Sequence, residues 1–173
     1  EVSLAAKAGY DFSNDIFITE ILPNPEGDDA KLEFIEIHNA GQRPVNLIGW
    51  SLSNEDGKKK ALDNLATSSV ISAGEYLALY RPKTKIVLHN DQGEARLFEP
   101  LADKPLRLVK YQEVKEGWSY VNTNNTNNKT NITNDEWIWS EAVTPGAVNV
   151  IKAVNRAPEA AFSFPAEILV GQP

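Results

Sequence analysis

The sequence predicts an all-β protein, built as a two-layer sandwich or a barrel. Three observations carry this. Apolar and polar residues alternate at period two through nine short segments. Turn-forming residues separate those segments at fairly regular spacing. No stretch of ten or more residues repeats its apolar side chains at helical spacing. The chain has 173 residues and a mass of 19.1 kDa. That length suits one domain with flanks, and a chain of this size buries about 70% of its unfolded surface, enough for a core without cross-links.

The first strand is read in "DIFITEIL" (15–22), with Ile16, Ile18, Glu20 and Leu22 on one face and Phe17, Thr19 and Ile21 on the other. The turn Pro23-Asn24-Pro25 ends it. "LEFIEIHN" (32–39) repeats the pattern, with Ile35, Ile37 and Asn39 opposite Phe34, Glu36 and His38. Then follow "RPVNLIGWSLS" (43–53), "GKKKALD" (57–63), "GEYLALYR" (74–81), "EARLFEP" (94–100), "LRLVKYQEV" (106–114), "GWSYV" (117–121) and "EWIWSEA" (136–142). Asn39-Ala40-Gly41, Asp56-Gly57, Ala73-Gly74, Asn90-Asp91-Gln92-Gly93 and Pro145-Gly146 supply the turns between them. Residues 1–14 lack periodicity and read as a linker. The domain is placed at 15–150, and a second linker with the start of another module at 151–173. Within the domain, "NTNNTNNKTNITN" (122–134) holds seven Asn and four Thr, too polar to pack. It reads as an exposed hairpin loop, with N-x-T patterns at Asn124, Asn128 and Asn131.

Composition narrows the function classes. With no Cys, disulfides, thiolate metal sites and cysteine nucleophiles are excluded. The net charge of −7 argues against a duplex nucleic-acid binder, which needs a basic stripe. The run Lys58-Lys59-Lys60 lies beside Glu55 and Asp56 and reads as a solvated turn. No apolar run approaches the roughly 18 residues of a membrane span, and no signal peptide is visible. A chain that opens on Glu1 and lacks Met is expected to be a mature or excised fragment.

Residues 23–39, "PNPEGDDAKLEFIEIHN", concentrate five carboxylates in seventeen residues. Glu20 and Glu36 sit within apolar strands, where burial raises a carboxyl pKa. Acid–base catalysis by that pair would need partners, and the chain carries no G-x-S-x-G, H-E-x-x-H, P-loop or G-x-G-x-x-G pattern. Asn24, Glu26, Asp28 and Asp29 offer oxygens of the kind Ca²⁺ takes, although Ala30 and Leu32 occupy positions where an EF-hand places ligands. Glu36 and His38, together with His89, are a weaker transition-metal set. The reading that explains most is structural. A strand Glu accepts backbone N–H groups from a neighbouring turn and holds it. Asn39 caps its own turn. The expected structural residues on this reading are Glu20, Glu33, Glu36 and Asn39; the expected cofactor is none, with Ca²⁺ as the alternative.

An ordered set of motifs then carries a resemblance. Glu20 to Pro25 match an I-x-E-(I/V)-x-P-N-P strand and turn, and Asp28 an Asp-bearing loop. Glu33 to Asn39 match E-(F/W)-(I/V)-E-(I/L)-x-N, with His38 where Tyr is frequent. Val45 to Leu52 match V-(D/N)-L-x-G-W-x-L. "AGEYLALYRPK", "LHNDQGEARLFEP", "GWSY" and "EWIWSEAVTPGAVN" complete the series. Over about residues 15–149 the chain resembles a lamin-tail domain of the bacterial kind, with the Asn/Thr-rich loop as its main departure. The resemblance implies an immunoglobulin-like two-sheet β-sandwich in which Trp50 and Trp118 are core residues. Trp137 and Trp139, at i and i+2, would pack across strands or form a stacking platform for sugars. "NRAPEAAFSFPAEILVGQP" (155–173) resembles the opening strands of a PKD-type domain. Such modules are typical of secreted and surface proteins.

The expected function is therefore a non-enzymatic module of an extracellular or envelope-attached multidomain protein, acting on protein or cell-surface material. The alternatives are a nucleic-acid-binding accessory domain, since the family includes chromatin-associated lamin tails and bacterial members that sit beside nuclease domains, or a carbohydrate-binding module. No heptad pattern exists, so filament formation is not implied.

Overall fold

The computed structural model describes residues 9–63, 68–125 and 136–152. Its first strand is β1, Ile16–Leu22. Then come a short helix α1, Asp29–Leu32, and strands β2, Phe34–Asn39, β3, Val45–Asn46, β4, Ser51–Ser53, β5, Lys60–Ala61, β6, Val70–Ile71, and β7, Tyr76–Tyr80. A second short helix α2, Arg81–Thr84, precedes β8, Gln92–Phe98, β9, Arg107–Gln112, β10, Ser119–Asn122, a 3₁₀ turn at Thr123–Asn125, and β11, Trp137–Ser140. Every strand pairing is antiparallel. One sheet runs β11-β10-β1-β2-β7, the other β5-β4-β8-β9, and β3-β6 form a separate ribbon. This is the all-β, immunoglobulin-like sandwich that the sequence predicts.

One cluster fills the space between the layers. Ile16, Ile18, Ile21, Ile35, Ile37 and Leu79 come from the five-stranded sheet. Trp50, Leu52, Ala95, Leu97, Val109 and Tyr111 meet them from the other. Isoleucines supply the core face of β1 and β2, where the pleated backbone suits their stiff side chains.

Three readings of single strands are corrected by the structure. In β1 the alternation does not run straight through. The register shifts between Ile18, opposite Ile37, and Glu20, opposite Glu36. Thr19 is the extra residue of a β-bulge, which reverses the facing of everything after it. Ile21 therefore joins Ile16 and Ile18 in the core, and Glu20 turns to the outer face with Glu36. The segment 43–53 is not one strand but two. Gly49, at φ +83°, breaks it, and a Cβ there would lie 2.8 Å from the Tyr10 ring. β3 pairs with β6, which the sequence reading missed, while β4 enters the four-stranded sheet. The strand read at 57–63 contracts to Lys60–Ala61.

The residues just before β1, placed with the N-terminal linker, are tied to the sandwich from Tyr10 on. The Asp11 carboxylate takes Arg43 Nη1 at 2.9 Å and the Asn46 N–H at 3.0 Å, and its carbonyl takes Trp50 Nε1 at 2.7 Å. The start of the PKD-like segment, 155–173, and most of the Asn/Thr-rich stretch, 126–134, lie outside the described residues.

Candidate functional site

The outer face of the five-stranded sheet carries the site. Glu20 and Glu36 face each other across β1 and β2, and both side chains are fully buried. What covers them is the chain after β11, residues 141–149, which we call the strap. The Thr144 N–H donates to Glu20 Oε1 at 3.0 Å, and the Thr144 hydroxyl to Glu20 Oε2 at 3.0 Å. The Gly146 N–H donates to Glu36 Oε2 at 2.7 Å, and the Thr19 hydroxyl to Glu36 Oε1 at 2.8 Å. A bulge leaves a strand carbonyl without its ladder partner, and a buried carbonyl needs one. Asn149 Nδ2 supplies it, donating to Thr19 O at 2.8 Å and to Asn122 O at 3.3 Å.

Burial pushes the Glu36 carboxyl up to about 7, the neighbouring Glu20 charge adding to the effect and the Thr19 and Gly146 donors opposing it. Burial also raises Glu20, against the Ser119 and Thr144 donors. The sequence reading expected strand glutamates to hold a neighbouring turn. The turn they hold is remote in sequence: it is the Pro145-Gly146 turn, whose flanking Thr144 and Asn149 carry no local sign of these partners. The available clue was that two glutamates in apolar strands must find donors, and T-P-G-A-x-N is a motif rich in them.

Glu33 and Asn39 work in the same way. Glu33 is buried, pairs with Arg81 Nη1 at 2.8 Å, and accepts the Leu88 N–H at 3.0 Å. Its pKa is nevertheless raised, burial outweighing the donors. Asn39 Nδ2 donates to Arg43 O at 2.8 Å and to Ile71 O at 3.1 Å, while its Oδ1 accepts the Gly41 N–H at 3.0 Å.

The acidic loop is spread out. Asp28 caps α1 by accepting the Ala30 N–H at 3.0 Å and pairs with Lys31 at 2.8 Å. Asn90 Nδ2 bridges Asn24 Oδ1 at 3.3 Å and Asp29 Oδ2 at 3.0 Å. Glu26 lies apart, its stem against Gly117. Among the described residues no group of three or more His, Asp or Glu side chains is placed to hold a metal ion. His38 stacks on Tyr76 at 4.0 Å with burial lowering its pKa to about 4, and His89 Nε2 meets Glu55 Oε1 at 3.1 Å. Glu36, His38 and His89 are thus not brought together.

A family model described as Lamin Tail Domain matches residues 12–144, a span running from just after the Asp11 anchor through to the strap's Thr144. The chain belongs to the lamin tail domain family. Comparisons with curated proteins and with solved structures found no match.

In this lamin tail domain the four tryptophans have different roles. Trp50 is fully buried in the core. Trp118, expected in the core, is half-buried outside it, with the Lys115 ammonium 4.1 Å above its ring. It lies in the turn just before β10, outside the cluster that packs between the sheets. Trp137 and Trp139 are half-buried against the core, both contacting Tyr120, at centroid separations of 5.3 and 4.9 Å. Trp139 Nε1 also donates to Gln112 O at 3.0 Å, which ties the two sheets together at this end. Finally, where the strap passes the acidic loop, a groove of about 400 Å³ opens beside Tyr80 and Pro145. Sequence reasoning missed it because its walls come from segments far apart in the chain.

Proposed function

We propose that this lamin tail domain is a non-enzymatic contact module of a secreted or envelope-attached multidomain protein. The observation that carries the reading is what becomes of its carboxylates. Glu20 and Glu36, the pair whose carboxyl pKa burial raises, are sealed from solvent and take hydrogen bonds from the domain's own strap. They do the work of scaffold, which leaves the surface to do the work of recognition. The strands β9 and β7 end their sheets, and such edges can add a strand from a partner. The PKD-like sequence at 155–173 supports an extracellular setting.

One patch favours the second reading, nucleic-acid binding. Lys58, Lys60 and Lys85 line a hollow of about 160 Å³. Asp56 shares it, and the net charge of −7 opposes it.

The test is retention of envelope fractions, from the cells that make the protein, on the immobilised chain. The expected result is retention that protease treatment of the fraction abolishes or that purified envelope polymer competes away. Retention of nothing, or tight binding of duplex DNA that falls steeply with salt, would overturn the reading.

A further inference from the structure

We infer that the groove between the strap and the acidic loop is a docking site for a basic, partly apolar peptide segment of a partner protein, with an Arg or Lys side chain seated in it. This rests on the contact-module reading above and names the partner's chemistry.

The floor is a single cross-strand row, Leu22 opposite Phe34 opposite Tyr80, lying where β1, β2 and β7 end. The Phe34 and Tyr80 rings are tilted at 52° with centroids 5.4 Å apart. Leu32 and Val143 also line the groove, and Leu32 is 42% exposed. A volume of about 400 Å³ is room for one or two side chains, within the range of small binding clefts.

The rim sets the sign of the ligand. Glu26 and Glu141 both line the groove, and among the described residues neither carboxylate has a basic partner. The nearby cations are committed elsewhere: Lys31 to Asp28, Arg81 to Glu33, and Lys115 to the Trp118 ring. Glu26 is also positioned. A Cβ at Gly117 would lie 2.8 Å from its Cγ, so the stem rests on a surface that only glycine leaves open. Glu20 and Glu36 occupy the next cross-strand row on the same face of the sheet.

An apolar floor with an aromatic ring, under two uncompensated carboxylates, fits one kind of side chain. It is a long alkyl stem ending in a cation. Arg and Lys bury their stems on apolar surface and keep the charge at the rim, where it meets ring faces and carboxylates together. A neutral or acidic segment would leave both carboxylates unpaired in a partly desolvated site.

The experiment is calorimetric titration of the full chain with a short acetylated peptide of alternating Leu and Arg. The same peptide with Gln for Arg, and the polyamine spermine, serve as comparisons. The Arg peptide should bind, and the Gln peptide should bind at least about tenfold more weakly. Glu26→Gln with Glu141→Gln should lower the Arg peptide's affinity by about tenfold or more, and Leu32→Ser should also weaken it. Asp103→Asn with Glu113→Gln, an equal charge change at exposed positions away from the groove, should leave it unaltered. Thermal melts confirm that each variant is folded. The inference is overturned if the Arg peptide fails to bind, if the two charge-neutral pairs weaken it equally, or if spermine binds and the peptide does not. Failure here with envelope retention intact removes only the groove. Failure of both removes the contact-module reading as well.

Discussion

Glu36 and Gly146 are separated by 110 residues in sequence and joined by a hydrogen bond of 2.7 Å. That bond, with those from Thr144 to Glu20, fastens the last described segment of the domain to its first two strands. The sandwich is closed by acids facing outward from its sheet, not only by the core between its layers.

The latch makes stability depend on pH in a specific direction. Glu36 titrates near 4.5 in the unfolded chain and at about 7 when folded. Between those values the folded state holds the extra proton. Its contribution is therefore fully present below the unfolded pKa and is lost as pH rises through the folded one. Glu20 is shifted the same way. Unfolding free energies from urea titration should fall as the pH is raised across this window, by on the order of a few kcal/mol at most for Glu36. Glu36→Gln should be less stable than wild type on the acid side and approach it at alkaline pH. A gap that widens with rising pH would refute the assignment.

Loosening the strap should not unfold the core. Thr144→Val removes the hydroxyl donor to Glu20 while the backbone N–H at 144 remains. The expected cost is about 1–2 kcal/mol. The first new site of limited proteolysis should fall within 141–149, and an unchanged cleavage pattern would argue against the strap's dependence on Glu20.

Arg81 compensates a buried charge. Arg81→Met should cost about 3 kcal/mol, because Glu33 is left buried without its cation. Adding Glu33→Gln should recover at least half of that, since a neutral amide can still accept the Leu88 N–H. Denaturant titration of the two variants decides it. No recovery in the double variant would mean that packing, not charge, sets the cost.

The same substitution should act differently at two tryptophans. Trp50→Phe empties part of the core and leaves the Asp11 carbonyl without its donor, for about 2–3 kcal/mol. It should also speed proteolysis before Ile16. Trp139→Phe loses a donor to a carbonyl on an exposed strand end, for under about 1 kcal/mol. Equal melting shifts would contradict the placement of these rings.

Period-two alternation and turn chemistry are local properties, set by backbone geometry within a few residues. The sequence by itself therefore determined the all-β class, the positions of the long strands, Trp50 in the core and two glutamates that needed partners. It also carried the motifs of the lamin tail family. It did not determine where those partners lie. The Thr19 bulge that turns Ile21 inward and Glu20 outward exists because the two halves of β1 must satisfy different neighbours. Gly49 splits one apolar run between two sheets because Tyr10 and Pro100 close over it. The strap, the Arg81 pairing and the groove were decided by tertiary structure alone. A buried carboxylate is stabilised by whatever donor the fold brings within hydrogen-bonding distance, and no local pattern records which distant segment that will be.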